Sequence, residues 1–317
     1  ALAMVQDYPF TGSGLGNSMM VHASYVLLLH VGYITHLHNL YLQIAVEQGL
    51  PGLLAFLALL GLAGWATLRA CQADASAALF GLPAVVALVA LAAHGMVDAG
   101  AYASRMAVLL FLPIGFALAA AQVAGAKPAS VDEADGAPRR RSGVLLAMAA
   151  GAAVLAAIVL LPASRAALQA NLGAVAQTRA ELAVYTWPEW PIQDALRRAP
   201  AVDLAPALAR YAAALAEDPT NAAANRRLGQ IELSQGLYQQ ARSHLEAAYA
   251  ANPGQRAARQ LLGESYAIEG AIAPAAALWR SIDASQGQLQ ARIWWYEHIG
   301  EPQRAAWMRQ AARQPAP

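Results

Sequence analysis

Leu50–Leu68 (LPGLLAFLALLGLAGWATL) runs for 19 residues without one ionisable side chain, and three further stretches in the first half of the chain come close to it. Ala77–Val97 carries only His94, while Met106–Val123 and Gly143–Leu161 are uncharged. At 1.5 Å per residue, a helix of that length reaches about 28 Å, the thickness of a bilayer's hydrocarbon core. All four stretches are therefore expected to be transmembrane helices, with Pro51 in the first turn of its span, where a missing N–H costs nothing. Composition agrees. Only 13% of the 317 residues are charged, against about 25% in soluble domains, which excludes a wholly water-soluble protein. Thirteen of the charged residues fall in the first 162 positions and 28 in the rest, so a membrane half precedes a water-exposed half. A net charge of +1 argues against nucleic acid as a partner, since that binding relies on many phosphate-neutralising cations. The single cysteine, Cys71, excludes an internal disulfide framework and a Cys-based metal site. The opening ALAMVQDYPF has neither an initiator Met nor a basic leader with a cleavage site, and the chain is read as the C-terminal part of a longer protein.

Loop charges set the expected orientation. Arg69 follows the first span, and Lys127 with Arg139, Arg140 and Arg141 lies between the third and fourth. The positive-inside rule places the 69–76 and 124–142 loops in the cytoplasm. By parity, residues 1–49 and the chain after Pro162 lie on the outer face. The expected organisation is an outer-face loop (1–49), three spans (50–124), a cytoplasmic linker (125–142), a fourth span (143–162), a juxtamembrane helical segment (163–203) and a repeat domain (204–317). The class is all-α.

The outer loop holds four histidines, His22, His30, His36 and His38, and two acids, Asp7 and Glu47, with no Lys or Arg before position 69. Its apolar run Ala23–Ile34 is too short to span and is interrupted by His30, which fits an interfacial or re-entrant element. The glycine string Thr11–Gly16 follows no strand and opens no βαβ unit, so it is not a dinucleotide fingerprint. The four histidines are expected to lack a metal-ligand set: His36 and His38 are two apart, and no carboxylate is expected to complete a facial triad. His94 and Asp98, one turn apart at the outer end of the second span, are expected to pair.

The tail is periodic. A shift of 34 residues places Leu228 on Leu262, Gly229 on Gly263, Gly236 on Gly270 and Ala241 on Ala275. One period earlier, Ala207, Ala214 and Pro219 fall on Ala241, Ala248 and Pro253. This resembles the tetratricopeptide pattern, in which small residues let paired helices approach and Pro ends each pair. Tyr266 fills an aromatic position at which the first unit has Glu232, and a shorter third unit matches around Gly300 and Ala305. Before the repeats, Ala166–Val184 has helical spacing of apolar residues and Trp187–Pro191 (WPEWP) breaks it, its Trp pair read as packing against the first repeat.

Two segments carry the functional reading. Tyr8–Gly16 (YPFTGSGLG) precedes His36–Gly52 (HLHNLYLQIAVEQGLPG), which leads into the first span. Together they resemble the O-antigen ligase and O-antigen polymerase superfamily, in which a D-x-P-x-x-G-x-G-x-G segment opens a large outer loop and an H-N-x-x-L-x-x-x-x-E-x-G-x-x-G segment closes it. The resemblance covers roughly residues 5–125, including His94–Asp98. It implies a polytopic, metal-independent glycosyltransferase of the inner membrane without a cofactor. Such an enzyme passes a glycan from an undecaprenyl diphosphate carrier to an acceptor hydroxyl on lipid A core, on a growing glycan or on a protein. Carried over by residue, the loop histidine is His38, which takes or orients the acceptor proton. An imidazole suits this, because its pKa lies near ambient pH and a diphosphate leaves without acid assistance. Asn39 and Glu47 are the implied binding residues, Asn39 holding loop backbone or sugar hydroxyls and Glu47 pairing with a cation or capping the span's N-terminus. His36 is the fallback base, and His22 and His30 are read as loop packing. The resemblance also implies cations for the lipid diphosphate; they are expected upstream of residue 1 or at Arg105 on the second outer loop, and failing both this copy is inactive. The tail is read as a docking or spacing element for a protein or glycan. The competing class is a non-catalytic, membrane-anchored repeat scaffold for envelope assembly, in which His38 is dispensable.

Overall fold

A computed structural model describes residues 1–18, 21, 22, 25, 36–73, 75–102, 107–125, 161–185, 192–282 and 286–314, with isolated positions between 149 and 160. The expected apolar run Ala23–Ile34, Arg105, the linker arginines, most of the fourth expected span and the WPEWP segment lie outside these residues. The described part is helical, with no β-strand.

Helix α1 (Leu2–Asp7) leads into the glycine-rich turn. Helix α2 (Leu40–Ala73) begins ten residues before the expected span and is broken at Gly49, which has φ 74° and ψ −179°. That break returns Pro51 to the first turn of the segment that follows. Over Leu40–Gln72, α2 is long and apolar enough to cross a membrane. Helix α3 (Ala75–His94) is the second expected span, ended by a turn at 95–97. The third arrives as a 3-10 turn (Ala107–Phe111) and helix α4 (Leu112–Gly125), whose 14 residues reach about 21 Å.

Helices α2, α3 and α4 pack on one another through small side chains. Ala63, Ala84 and Ala117 are buried together with Leu88 and Ile114. The Thr67 hydroxyl lies 2.7 Å from the Ala63 carbonyl and 2.8 Å from that of Ala117, bridging α2 and α4. A Cβ on Gly81 would sit 2.3 Å from Cys71 Sγ, so the glycine lets α3 approach α2 closely there. The outward side chains are large and apolar: Leu54, Leu62, Trp65, Leu79, Val86, Val89 and Phe116 are all exposed. Small residues therefore lie inside the cluster and bulky apolar residues outside it, and among the described residues α2 alone is long and apolar enough to cross a membrane.

The second half is a succession of helix pairs. Helix α5 (Pro162–Ala183) packs along α7 (Ala205–Glu217), with short α6 (Gln193–Arg198) between them in sequence. The expected juxtamembrane helix thus shares a core with the helix that opens the repeats. Helices α8 (Ala222–Gln235) and α9 (Tyr238–Ala251), α10 (Arg256–Ala267) and α11 (Ile272–Arg280), and α12 (Gln286–His298) and α13 (Pro302–Arg313) follow as pairs. Gly236, Gly270 and Gly300 turn the chain inside these pairs at φ between 80° and 85°, where any other residue is strained. Gly229 faces Leu245 and Gly263 faces Trp279 at distances that a Cβ would bring below 3 Å, so the period of 34 has a steric cause.

A buried polar network threads this half. Arg292 donates to Asp194 (2.6 Å) and to Glu264 (2.6 Å), the Tyr296 hydroxyl donates to Glu264, and the Ser234 hydroxyl to Asp194. The network ties α6, α8, α10 and α12 together. Burial raises the Asp194 carboxyl, but Arg292, Arg197 and Ser234 outweigh it and hold the group at about 2.

Candidate functional site

The two loop motifs pack backbone on backbone. Ser13 N donates to the Val46 carbonyl (2.8 Å), Gly14 N to that of Glu47 (3.0 Å), and Leu50 N to that of Pro9 (2.8 Å). A Cβ on Gly12, at φ 66°, would lie 2.2 Å from the Glu47 carbonyl group, and one on Gly49 would lie 2.8 Å from that of Phe10. Each motif therefore supplies the glycine the other needs. The Gly49 break lets the first half of α2 carry His38–Glu47 over the glycine turn.

Asn39 and Glu47, the expected binding residues, are engaged within the protein. Asn39 Oδ1 accepts from Leu42 N (2.9 Å), capping α2, and its amide donates to the Met96 carbonyl (2.9 Å). Leu40 N donates to the Gly95 carbonyl and the Tyr41 hydroxyl to that of Ala92, both at 2.7 Å. Glu47 is buried and accepts from the Gln43 amide (2.7 Å), which also reaches Ser18 Oγ (2.6 Å). Asn39 and Glu47 thus hold the loop against α2 and the end of α3. Arg105 lies outside the described residues.

These stitches bring the end of α3 beside the start of α2, and the histidines meet there. His38 is exposed and has φ 52°, a left-handed backbone uncommon for a residue other than glycine. Its ring stands edge-on to that of His36, with centroids 4.3 Å apart. Asp98 lies between the imidazoles: Oδ1 is 3.7 Å from His36 Nδ1 and Oδ2 is 3.3 Å from His94 Nε2, the pair expected from their spacing. The Gly100 N–H donated to Asp98, with His36 and His94 adding, holds its carboxyl below the usual range. Asp98 was legible as a partner of His94 but not of His36 and His38, because the next helix in the chain brings it there. His22, partly buried, stands away from this group.

A second cluster joins the loop to the tail, and the sequence reading missed it. Asp7 is buried and paired with Arg226 and Arg227 of α8, and it accepts from the Tyr25 hydroxyl. Arg227 also donates to the Tyr8 hydroxyl (2.7 Å) and to Gln177 (3.2 Å), and Tyr8 meets Thr178 of α5 at 2.9 Å. Asn171 of α5 accepts from Phe10 N (2.9 Å) and Thr11 N (3.2 Å). Burial first, and then the Asp7 carboxylate, hold the Tyr25 phenol well above its ordinary value. The available signal was two adjacent arginines on a helix of otherwise sparse charge. Because Asp7 and α8 touch, the N-terminal loop and the tail lie on one side of any membrane that α2 crosses. Arg226 and Arg227 reach the loop from α8, and both are buried there.

Residues 1–57 match a protein-family model described as O-Antigen ligase. The matched segment holds both loop motifs, with His36, His38, Asn39 and Glu47, and that part of the chain is similar to an O-antigen ligase domain. No curated protein and no solved structure matches the chain.

Proposed function

We propose that this chain carries the acceptor-side machinery of an O-antigen ligase-like membrane glycosyltransferase. It transfers a glycan from an undecaprenyl diphosphate carrier to an acceptor hydroxyl at the outer face of the inner membrane. The observation that carries the reading is the placement of His38, exposed at the mouth of α2 and held there by the Asn39 cap and the paired glycine motifs. There an aqueous acceptor and a lipid-borne donor meet. His38 takes the acceptor's hydroxyl proton as the oxygen attacks the anomeric carbon; the C–O bond to the diphosphate breaks, and the diphosphate carries its charge away. This proton transfer needs no metal or cofactor. A four-span membrane part and a tetratricopeptide tail complete the proposed architecture, supported by the apolar exterior of α2–α4 and by the helix pairs after residue 162. The contact between Asp7 and α8 supports an outer-face tail if the loop is outer.

One observation favours the non-catalytic scaffold. Residues 1–68 contain no Lys or Arg, and Arg226 and Arg227 are occupied by Asp7 and tyrosines. The deciding experiment supplies the protein in proteoliposomes with an undecaprenyl diphosphate glycan and, separately, lipid A core, free glycan or an acceptor protein. Transfer to one acceptor supports the enzyme and names its class. Transfer to none supports the scaffold.

A further inference from the structure

His36, His38 and Asp98 each offer a ligand atom, and these atoms lie within 4.8 Å of one another; this is the group of metal-ligating side chains of that kind among the described residues. Two imidazoles and one carboxylate on one side of an ion, with the other side open, is a common donor set for divalent first-row metals. A zinc-class ion with bonds of about 2.0–2.2 Å needs its ligands somewhat closer than they stand. The exposed His38 ring can supply that movement by side-chain rotation. The third ligand comes from a rigid place, since Leu40 N–Gly95 O and Asn39–Met96 O fix the end of α3 against the start of α2. His94 Nε2, 3.3 Å from the second carboxylate oxygen, stands where an outer-shell partner orients a ligating carboxylate. The charge balance also suits a cation. Asp98 faces His36 and His94, and residues 1–68, which bring His36 and His38, contain no Lys or Arg.

We infer that His36, His38 and Asp98 form a binding site for a divalent transition-metal ion of the zinc class at the mouth of α2. Its consequence for transfer rests on the proposed role of His38: an ion bound there holds the lone pair that otherwise takes the acceptor proton. The metal-free protein is then the active form, and zinc inhibits it.

The test uses the complete chain in detergent, freed of metal with a chelator and titrated with Zn²⁺ by calorimetry and with Co²⁺ by its visible absorption. One equivalent should bind, with a Co²⁺ spectrum typical of nitrogen and oxygen ligands. His36→Gln and Asp98→Asn should each weaken binding more than about tenfold, the lower end of the loss for even an outer-shell partner. His298→Ala, on the tail, should leave binding unchanged. Circular dichroism identifies any variant that has unfolded, and His38→Gln provides a third ligand deletion. Absence of saturable binding, or binding unchanged in all three ligand variants, overturns the site. In proteoliposomes, Zn²⁺ should lower wild-type transfer at the concentration that fills the site. If the site fills and transfer is unaffected, the metal site stands and the base role of His38 fails, so the two readings are separable.

Discussion

Asp7 and Arg226 are 219 positions apart and form a buried ion pair, joining the outer loop to the second half of the chain. The arrangement makes the tail part of the loop's support rather than a separate appendage. Arg227 extends the pair to Tyr8 and Tyr25, and Asn171 fixes the backbone of the segment that leads into the glycine turn. The loop motif that the family match covers is therefore held from below by α2 and from the side by α5 and α8.

Removing Asp7 leaves the Arg226 and Arg227 guanidiniums buried without their counter-charge, which costs about 3–5 kcal/mol, whereas removing Arg226 leaves Asp7 paired with Arg227 and costs less. Asp7→Leu or Arg226→Met should each lower the thermal midpoint of the complete protein and expose the loop to protease. The double variant should lose less than the two single losses combined. Additive losses, read by tryptophan fluorescence on heating, would show that the pair does not couple loop and tail.

Gly12 and Gly49 have positive φ, and their missing Cβ atoms are filled by the opposite motif's backbone. Gly12→Ala or Gly49→Ala should separate the two motifs, reducing transfer at least tenfold while the apolar segment after Gly49 still inserts into membranes. Substituting Gly16, beside whose Cβ position lies open space, should cost only backbone strain, about 1 kcal/mol. Equal transfer in Gly12→Ala and wild type would mean that the docking does not shape the site.

Acid should weaken the tail through Asp194. Its carboxyl is held at about 2 in the folded chain, below the unfolded value of about 3.9. The stabilisation is present above pH 4, amounts to about 2 kcal/mol, and is lost as pH falls toward 2. His244 acts in the opposite direction: its bond to Glu232 raises its pKa, so its contribution is full below about pH 6.5 and fades as pH rises through the raised value. Asp194→Asn should flatten the acid limb of a thermal-midpoint profile, and His244→Gln the alkaline one. Unchanged limbs would assign the pH response to other groups.

What was legible in the sequence was local. The uncharged runs from Leu50 and Met106, and the Ala77–Val97 run whose one ionisable group is His94, fall on α2, α4 and α3 because little in them needs water. The i,i+4 spacing joins His94 to Asp98, and the 34-residue period locates the glycines under Leu245 and Trp279. Roles that depend on distant partners were not legible. That Asn39 could hold loop backbone was legible from its chemistry, but its partners, Leu42 N and the Met96 carbonyl, and the Gln43 partner of Glu47 are set by the fold. Asp98 reaches His36 only because Asn39 and Leu40 bind the end of α3. Arg226 and Arg227 sit among repeat positions, where nothing nearby in sequence names Asp7 as their partner.

The central claim is that His38 accepts the acceptor's proton, and His38→Gln tests it most directly because glutamine keeps the hydrogen bonding and removes the basicity. The measurement is glycan transfer from an undecaprenyl diphosphate donor by metal-free protein in proteoliposomes, with insertion checked by protease protection. A general base contributes about 10²–10⁴-fold, so the account predicts transfer reduced by at least about 100-fold with insertion intact. Near-normal transfer by His38→Gln would contradict it.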